Sequence, residues 1–139
     1  RWKQAAAALE AARAMRQDVS LLPVLADCHR AVHRWTEVDR IWDAVKAASP
    51  PHEVMTEARI VVAGSLADRG RITDAIALLE GAATSPKRIR DHHLRQWYAL
   101  ADLHDRAGDP VAAARWFRAI SARDPHFVDV DDRLRALGR

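Results

Sequence analysis

An all-α chain of stacked antiparallel helix pairs is what the sequence predicts, and three observations carry that expectation. Ala, Leu, Arg, Asp and Glu dominate, and β-branched residues are scattered rather than gathered into strand-like runs. Only 5 Gly and 6 Pro occur among 139 residues, so few breaks in helix are encoded. A pattern of small and large apolar residues also recurs, starting at Leu22, Arg59 and Trp97, 37 and 38 residues apart. Recurrence at such a period is the mark of repeat architectures.

The repeat is clearest near the C-terminus. Trp97, Leu100, Ala101 and His104 follow W-x2-L-G/A-x2-Y, and Ala113, Phe117 and Pro125 follow A-x3-F with a closing Pro. Gly108 marks the turn between the two halves, with Asp109 as N-cap and Pro110 at the first helical position. Upstream, Leu22, Leu25, Ala26 and His29 lead to Val38, Trp42 and Pro50, with His33 where the turn glycine would stand. Arg59, Val62, Ala63 and Leu66 lead to Ala75 and Leu79, with Gly70 at the turn and Pro86 one residue early. Arg59 departs from the pattern, since a large apolar residue is usual there. This arrangement resembles the tetratricopeptide repeat family over roughly residues 20–125. The family's unit is about 34 residues long, so extra residues are expected at Ser49-Pro50-Pro51-His52 and Thr84-Ser85-Pro86-Lys87. The resemblance implies an α-solenoid of about three helix pairs with a flanking helix at each end.

Two antiparallel helices approach closely only where side chains are small. Ala26, Ala63 and Ala101 supply this on the first helix of each pair, and Ala75 and Ala113 on the second. Leu25, Val62, Leu100, Trp42, Leu79 and Phe117 then fill the space between helices. The expected helices are 2–17, 21–33 and 36–48, 52–69 and 72–84, 90–107 and 110–122, and a polar capping helix over 127–137 ending at Gly138. Ser20 is the expected cap of the second helix, with Pro23 in its first turn. The chain thus reads as one domain, with repeats over 19–51, 56–87 and 94–125 and a cap over 126–138. Residues 2–17 read as the second helix of a pair, and the start at Arg1 rather than Met reads as a fragment of a longer chain. Its stripe of Ala5, Ala8, Leu9, Ala12 and Met15 implies weak self-association through that edge.

Composition excludes several function classes. Hydrophobic residues make up 49%, too many for a disordered chain. The net charge of +3 and pI of about 9.6 favour solubility without defining a partner. No apolar run approaches the roughly 18 residues of a membrane span, so no membrane role is expected. A lone Cys28 in a helical apolar pattern reads as a small buried hydrophobe in a reducing, cytoplasmic setting. His29 and His33 share a helix at a ligand-like spacing, but His29 sits at a core position and His33 at a turn, and neither a Cys cluster nor HExxH accompanies them. His52, His92, His93, His104 and His126 read as structural, and no Gly-rich phosphate loop occurs. Nothing assembles a nucleophile, a base and an oxyanion donor, so neither catalysis nor a cofactor or metal is expected.

Protein–protein recognition is therefore the expected function. In tetratricopeptide arrays the first helices line a concave groove, and the resemblance puts Ser20, Val24, Asp27 and Arg30, then Ile60, Val61, Ser65, Asp68 and Arg69, then Arg95, Tyr98, Asp102, Asp105 and Arg106 on it. Such a groove suits an extended segment or helix of a partner protein. Some relatives clamp a C-terminal carboxylate pair with Lys and Asn. Ser, Val, Asp, Ile, Tyr and Ala stand at those positions here, so that adaptor role is unsupported. Two alternatives remain. Lys87, Arg88, Arg90, His92, His93 and Arg95 form a basic cluster that a nucleic-acid-binding repeat would use, although acidic groove residues make nucleic acid the weaker expectation. The chain also fits an accessory domain of a larger enzyme or regulator.

Overall fold

The computed structural model describes residues 1–16, 18–82 and 86–138, and the side chains of all of these but 11–16. The structure is all-helical, 79% helical, with no strand among the described residues. The elements are α1 (Trp2–Arg16), α2 (Leu22–Ala31), α3 (Trp35–Ala48), α4 (His52–Asp68), α5 (Ile72–Ala82), α6 (Asp91–Arg106), α7 (Pro110–Arg123) and α8 (Val130–Ala136). A short 3-10 turn, Val19–Leu21, joins α1 to α2. The expected tail of α5 at 83–84 lies outside the described residues, as do the side chains of Ala12 and Met15.

Every α-helix packs on its neighbour in sequence, α3 on α4 and α5 on α6 included, and the contact is most extensive between α6 and α7 and between α4 and α5. In addition α2 touches α4, and α4 touches α6. The core accordingly divides into three successive clusters. Leu25, Ala26, Ile41 and Val45 centre the first, Ala63, Ala75, Leu79 and Leu100 the second, and Ala101, Ala113, Phe117 and Ile120 the third. Helix α4 contributes to the first two clusters, and α6 to the last two. Ala26, Ala63, Ala75, Ala101 and Ala113 are all buried, as close helix crossings require. Trp42 and Trp97 are only partly buried, so Leu25, Leu79, Leu100 and Phe117 are the large residues that close the core.

The period of the sequence reappears in the backbone. His33, Gly70 and Gly108 all hold positive φ, at 61°, 80° and 81°. Each ends a helix with the same pair of hydrogen bonds. The following N–H reaches back five residues, from Arg34 to His29 (2.9 Å), Arg71 to Leu66 (2.8 Å) and Asp109 to His104 (2.9 Å). The turn residue's own N–H reaches Arg30, Ala67 and Asp105 at 3.0, 3.0 and 3.1 Å. This is the left-handed helix ending that satisfies the last carbonyls and favours glycine. His33 pays the backbone strain of a side chain there, and its ring stacks on Trp35 at 4.9 Å.

Three expectations change at the ends of elements. Asp18, not Ser20, caps the turn before α2, accepting from the Ser20 N–H (3.0 Å) and hydroxyl (2.6 Å). A carboxylate two residues upstream is the better placed acceptor. The last helix begins at Val130 rather than 127, because Asp124 takes the His126 N–H at 3.0 Å and its carbonyl takes that of Phe127. Those bonds set up a turn in competition with helix, and Val128 there has φ 49°. In α1, Ala5, Ala6 and Leu9 face the first cluster while Ala8 is exposed, so the buried stripe is rotated from the one expected.

Two substitutions test this account by urea denaturation. Phe117→Ala should cost about 3–5 kcal/mol, since the ring is fully buried and leaves a cavity. Gly70→Ala should cost about 1–2 kcal/mol through the backbone alone, because no atom lies within 4 Å of an added Cβ. A neutral Phe117→Ala would mean that the third cluster is not packed as described.

Candidate functional site

Helices α2, α4 and α6 lie side by side, and their shared surface holds most of the residues expected to line a groove. Between α2 and α4 it opens into a cavity of about 290 Å³, lined by Ser20, Pro23, Val24, Asp27, Glu53, Val54, Glu57 and Val61. Its apolar part is Pro23, Val24, Val54 and Val61, and Val24 is 53% exposed. Three carboxylates, Asp27, Glu53 and Glu57, rim it. No basic side chain lines it.

The charged residues of this surface mostly pair across helices. Arg30 on α2 donates from Nε to Asp68 on α4 at 2.7 Å, with Asp27 at 3.6 Å. It crosses α4 at Gly64, where an added Cβ would come within 2.5 Å of the guanidinium. Arg106 on α6 stands 3.8 Å from the same Asp68, and Arg95 on α6 pairs with Glu57 on α4. Arg133 on α8 donates to Asp102 (2.9 Å), Asp105 (3.1 Å) and the Tyr98 hydroxyl (3.0 Å). Its guanidinium lies 4.8 Å from the Phe117 ring centroid. Burial works against the Arg133 charge, but hydrogen bonds with Asp102, Asp105 and Tyr98 outweigh it and hold the group above the ordinary arginine range. The α6 part of the surface is thus engaged by α8.

Three expected groove residues face elsewhere. Ser65 is fully buried and accepts from Arg69 Nη2 at 2.9 Å. Arg69 turns to α3, where it pairs with Asp39 at 2.8 Å and lies 5.4 Å from the Trp35 ring centroid. Ile60 packs against the second cluster. The cause is helical phase. Ser65 and Arg69, four residues apart, share the stripe of α4 that meets α3, away from the one that carries Glu57, Val61 and Asp68. Conversely, Glu53, Val54, Glu57 and Arg133 belong to the surface and were not expected there. Only the i, i+4 spacing of Glu53, Glu57 and Val61, and the i, i+7 spacing of Val54 and Val61, could have pointed to the first three.

The histidines divide in a way the sequence does not show. His29 is buried, and among the described residues neither ring nitrogen has a hydrogen bond, although Nε2 lies 3.5 Å from Glu10. Glu10, His29 and Glu37 each bring a ligand atom within 4.8 Å of the others, a set that could hold a divalent cation. Arg40 competes for Glu37 at 3.2 Å. His104 lies 3.7 Å from Glu80. Cys28 is buried, and that burial, with Asp27 nearby, raises its thiol pKa, so it stays a neutral thiol. The basic cluster is split. Lys87, Arg88 and Arg90 are exposed, Arg95 pairs with Glu57, and Arg90, with His92 and His93, lines a second cavity together with His52 and Arg59 of α4. Among the described residues no helix is long and apolar enough to cross a membrane.

Tyr98, the single tyrosine, allows a spectroscopic test. Burial, then its 2.5 Å hydrogen bond to Asp129, raises its pKa above the usual value. A phenol whose folded pKa is raised adds stability that is present below about pH 10 and is lost as pH rises through the folded value. Absorbance titration should therefore find ionisation above that of free tyrosine, and Arg133→Met, which removes a neighbouring cation, should move it higher still. An unchanged ionisation in the variant would mean that Arg133 does not reach the Tyr98 hydroxyl.

No protein-family model, no curated protein and no solved structure matches this chain.

Proposed function

We propose that the chain is a tetratricopeptide-like array of helix pairs whose work is binding, and that its α2–α4 cavity takes a segment of a partner protein. The array reading is supported by the period of 37 and 38 residues shared by the small-residue pattern and the left-handed turns at His33, Gly70 and Gly108. The side-by-side contacts of α2, α4 and α6 support it further.

The observation that carries the binding reading is the composition of the cavity. An apolar floor of Pro23, Val24, Val54 and Val61 stands beside the carboxylates of Asp27, Glu53 and Glu57. An apolar side chain of the partner would displace water from the floor, which is worth roughly 25 cal/mol per Å² of apolar area buried. A Lys or Arg next to it would meet Glu53, which has no ion-pair partner among the described residues. The preferred segment is thus an apolar anchor flanked by basic residues, held extended or as a helix. Net charge alone would predict the opposite preference, because the chain is +3 overall.

A peptide array followed by anisotropy titration tests this. Peptides pairing an apolar residue with Lys or Arg should bind, and Val24→Glu should weaken them by about tenfold or more, the worth of roughly 1.4 kcal/mol. Val24 is exposed, so the variant's melting temperature should stay near that of the parent. Preference for acidic peptides, or equal binding by Val24→Glu, would sink the assignment of the cavity.

A further inference from the structure

The second cavity, of about 430 Å³, lies between the first turns of α4 and α6 and the end of α5. It is lined by Arg59, Arg90, His52, His92, His93 and Thr56, with Gln96, Trp97 and Ala82 completing the wall. No carboxylate is among them. Arg59 is partly buried, and among the described residues its one side-chain hydrogen bond, at 3.3 Å, goes to the amide oxygen of Gln96. Neither Arg59 nor Arg90 has an ion pair among the described residues. Arg30, Arg69, Arg95, Arg106 and Arg133 do, and Arg34, Arg88, Arg115, Arg118 and Arg123, which also lack one there, are exposed, whereas Arg59 is partly buried.

An uncompensated guanidinium inside a fold is costly. Burial alone pulls the Arg59 pKa down, with no neighbouring anion to raise it. The fold does not need this charge, since the equivalent positions of the repeat hold Leu22 and Trp97. Local violations of packing logic that have no structural gain mark functional positions. The surroundings are positive as well. Burial, then His92, Arg90 and His52, lowers the pKa of His93. The His93 Nδ1 accepts the Arg90 N–H at 2.9 Å, so the neutral ring carries its proton on Nε2 and offers a donor there. The cavity also adjoins the first turn of the 16-residue α6, the positive end of its dipole.

We propose that this cavity is an anion site that binds a phosphate monoester through Arg59 and Arg90. A dianion neutralises both guanidinium charges at once, which a single carboxylate cannot. Imidazole N–H groups and the Thr56 hydroxyl supply further donors, and the Trp97 ring offers an apolar wall to whatever carries the phosphate. The site lies on the other side of α4 from Val54 and Val61, and it does not rest on the peptide-binding proposal.

Calorimetric titration of the full chain with inorganic phosphate, a phosphoserine peptide and a nucleoside monophosphate tests it. All three should bind saturably, and the tighter of the two esters identifies the carrier. Arg59→Met and Arg90→Met should each weaken phosphate binding by about tenfold or more, as expected for a lost charge-assisted hydrogen bond. Lys87→Ala, which removes an exposed cation outside the cavity, and Val24→Glu should leave it unchanged. Without phosphate, Arg59→Met should melt no lower than the parent, because a partly buried charge without an ion pair has been replaced by an apolar side chain. Phosphate should raise the melting temperature of the parent and not that of the variant. Absence of saturable binding to all three probes overturns the proposal. So does binding that survives both arginine variants, or that is lost in Lys87→Ala.

Discussion

Close approach of helices at small residues is the constraint from which the rest of this molecule follows. Ala26, Ala63 and Ala101 are each at most 1% exposed, and a larger side chain at any of them would push neighbouring helices apart. Because α2, α4 and α6 each carry such a residue and touch in succession, the second and third clusters are built on helices that also serve the cluster beside them. Phe117, Leu79 and Leu25 can then be fully buried in a chain with only modest aromatic content. The same geometry brings the outward faces of α2, α4 and α6 within side-chain reach of one another.

That proximity decides what the surface charges do. Asp68 lies close enough to Arg30 and Arg106 to pair with both, and Asp102 and Asp105 receive Arg133 from α8. Exposed pairs of this sort contribute little each, roughly 0–1 kcal/mol, and their larger consequence is to occupy groups that would otherwise be open to a ligand. Two of the groups without an ion pair among the described residues lie in cavities on opposite sides of α4. The carboxylate of Glu53 lies beside the apolar floor between α2 and α4, and the guanidinium of Arg59 lies in a cavity without acids. Helix α4 therefore presents an acid-rimmed apolar site on one side and a cationic one on the other, although the chain's mild net charge gives no hint of such a division.

Much of the architecture was legible in the sequence because helix formation and ending are local matters. Composition without strand-like runs, Asp109 before Pro110, and glycines at 70 and 108 each act within a few residues, so the eight helices fall close to their expected places. His33 could be aligned with those glycines by period alone, and it adopts their left-handed backbone. The misjudged ends have a different origin. Asp18 and Asp124 bend the chain by side-chain hydrogen bonds that compete with helix, and either outcome is compatible with the residue types present.

The sequence by itself determined the helices, their period and the small residues at their crossings, since these depend on backbone propensity and side-chain size. The use of each polar residue was decided only by the tertiary structure, because pairing depends on distances between segments roughly 30–40 residues apart in the chain. Val24, Asp27 and Val61 were expected to line a groove and do line the cavity between α2 and α4, whereas a difference of helical phase sends Ser65 into the interior and Arg69 to Asp39. The run from Lys87 to Arg95 looks like one basic patch in the sequence. In the fold Arg95 meets Glu57, while Arg90, His92 and His93 meet Arg59, because successive residues of a helix point in directions about 100° apart, as 3.6 residues per turn requires.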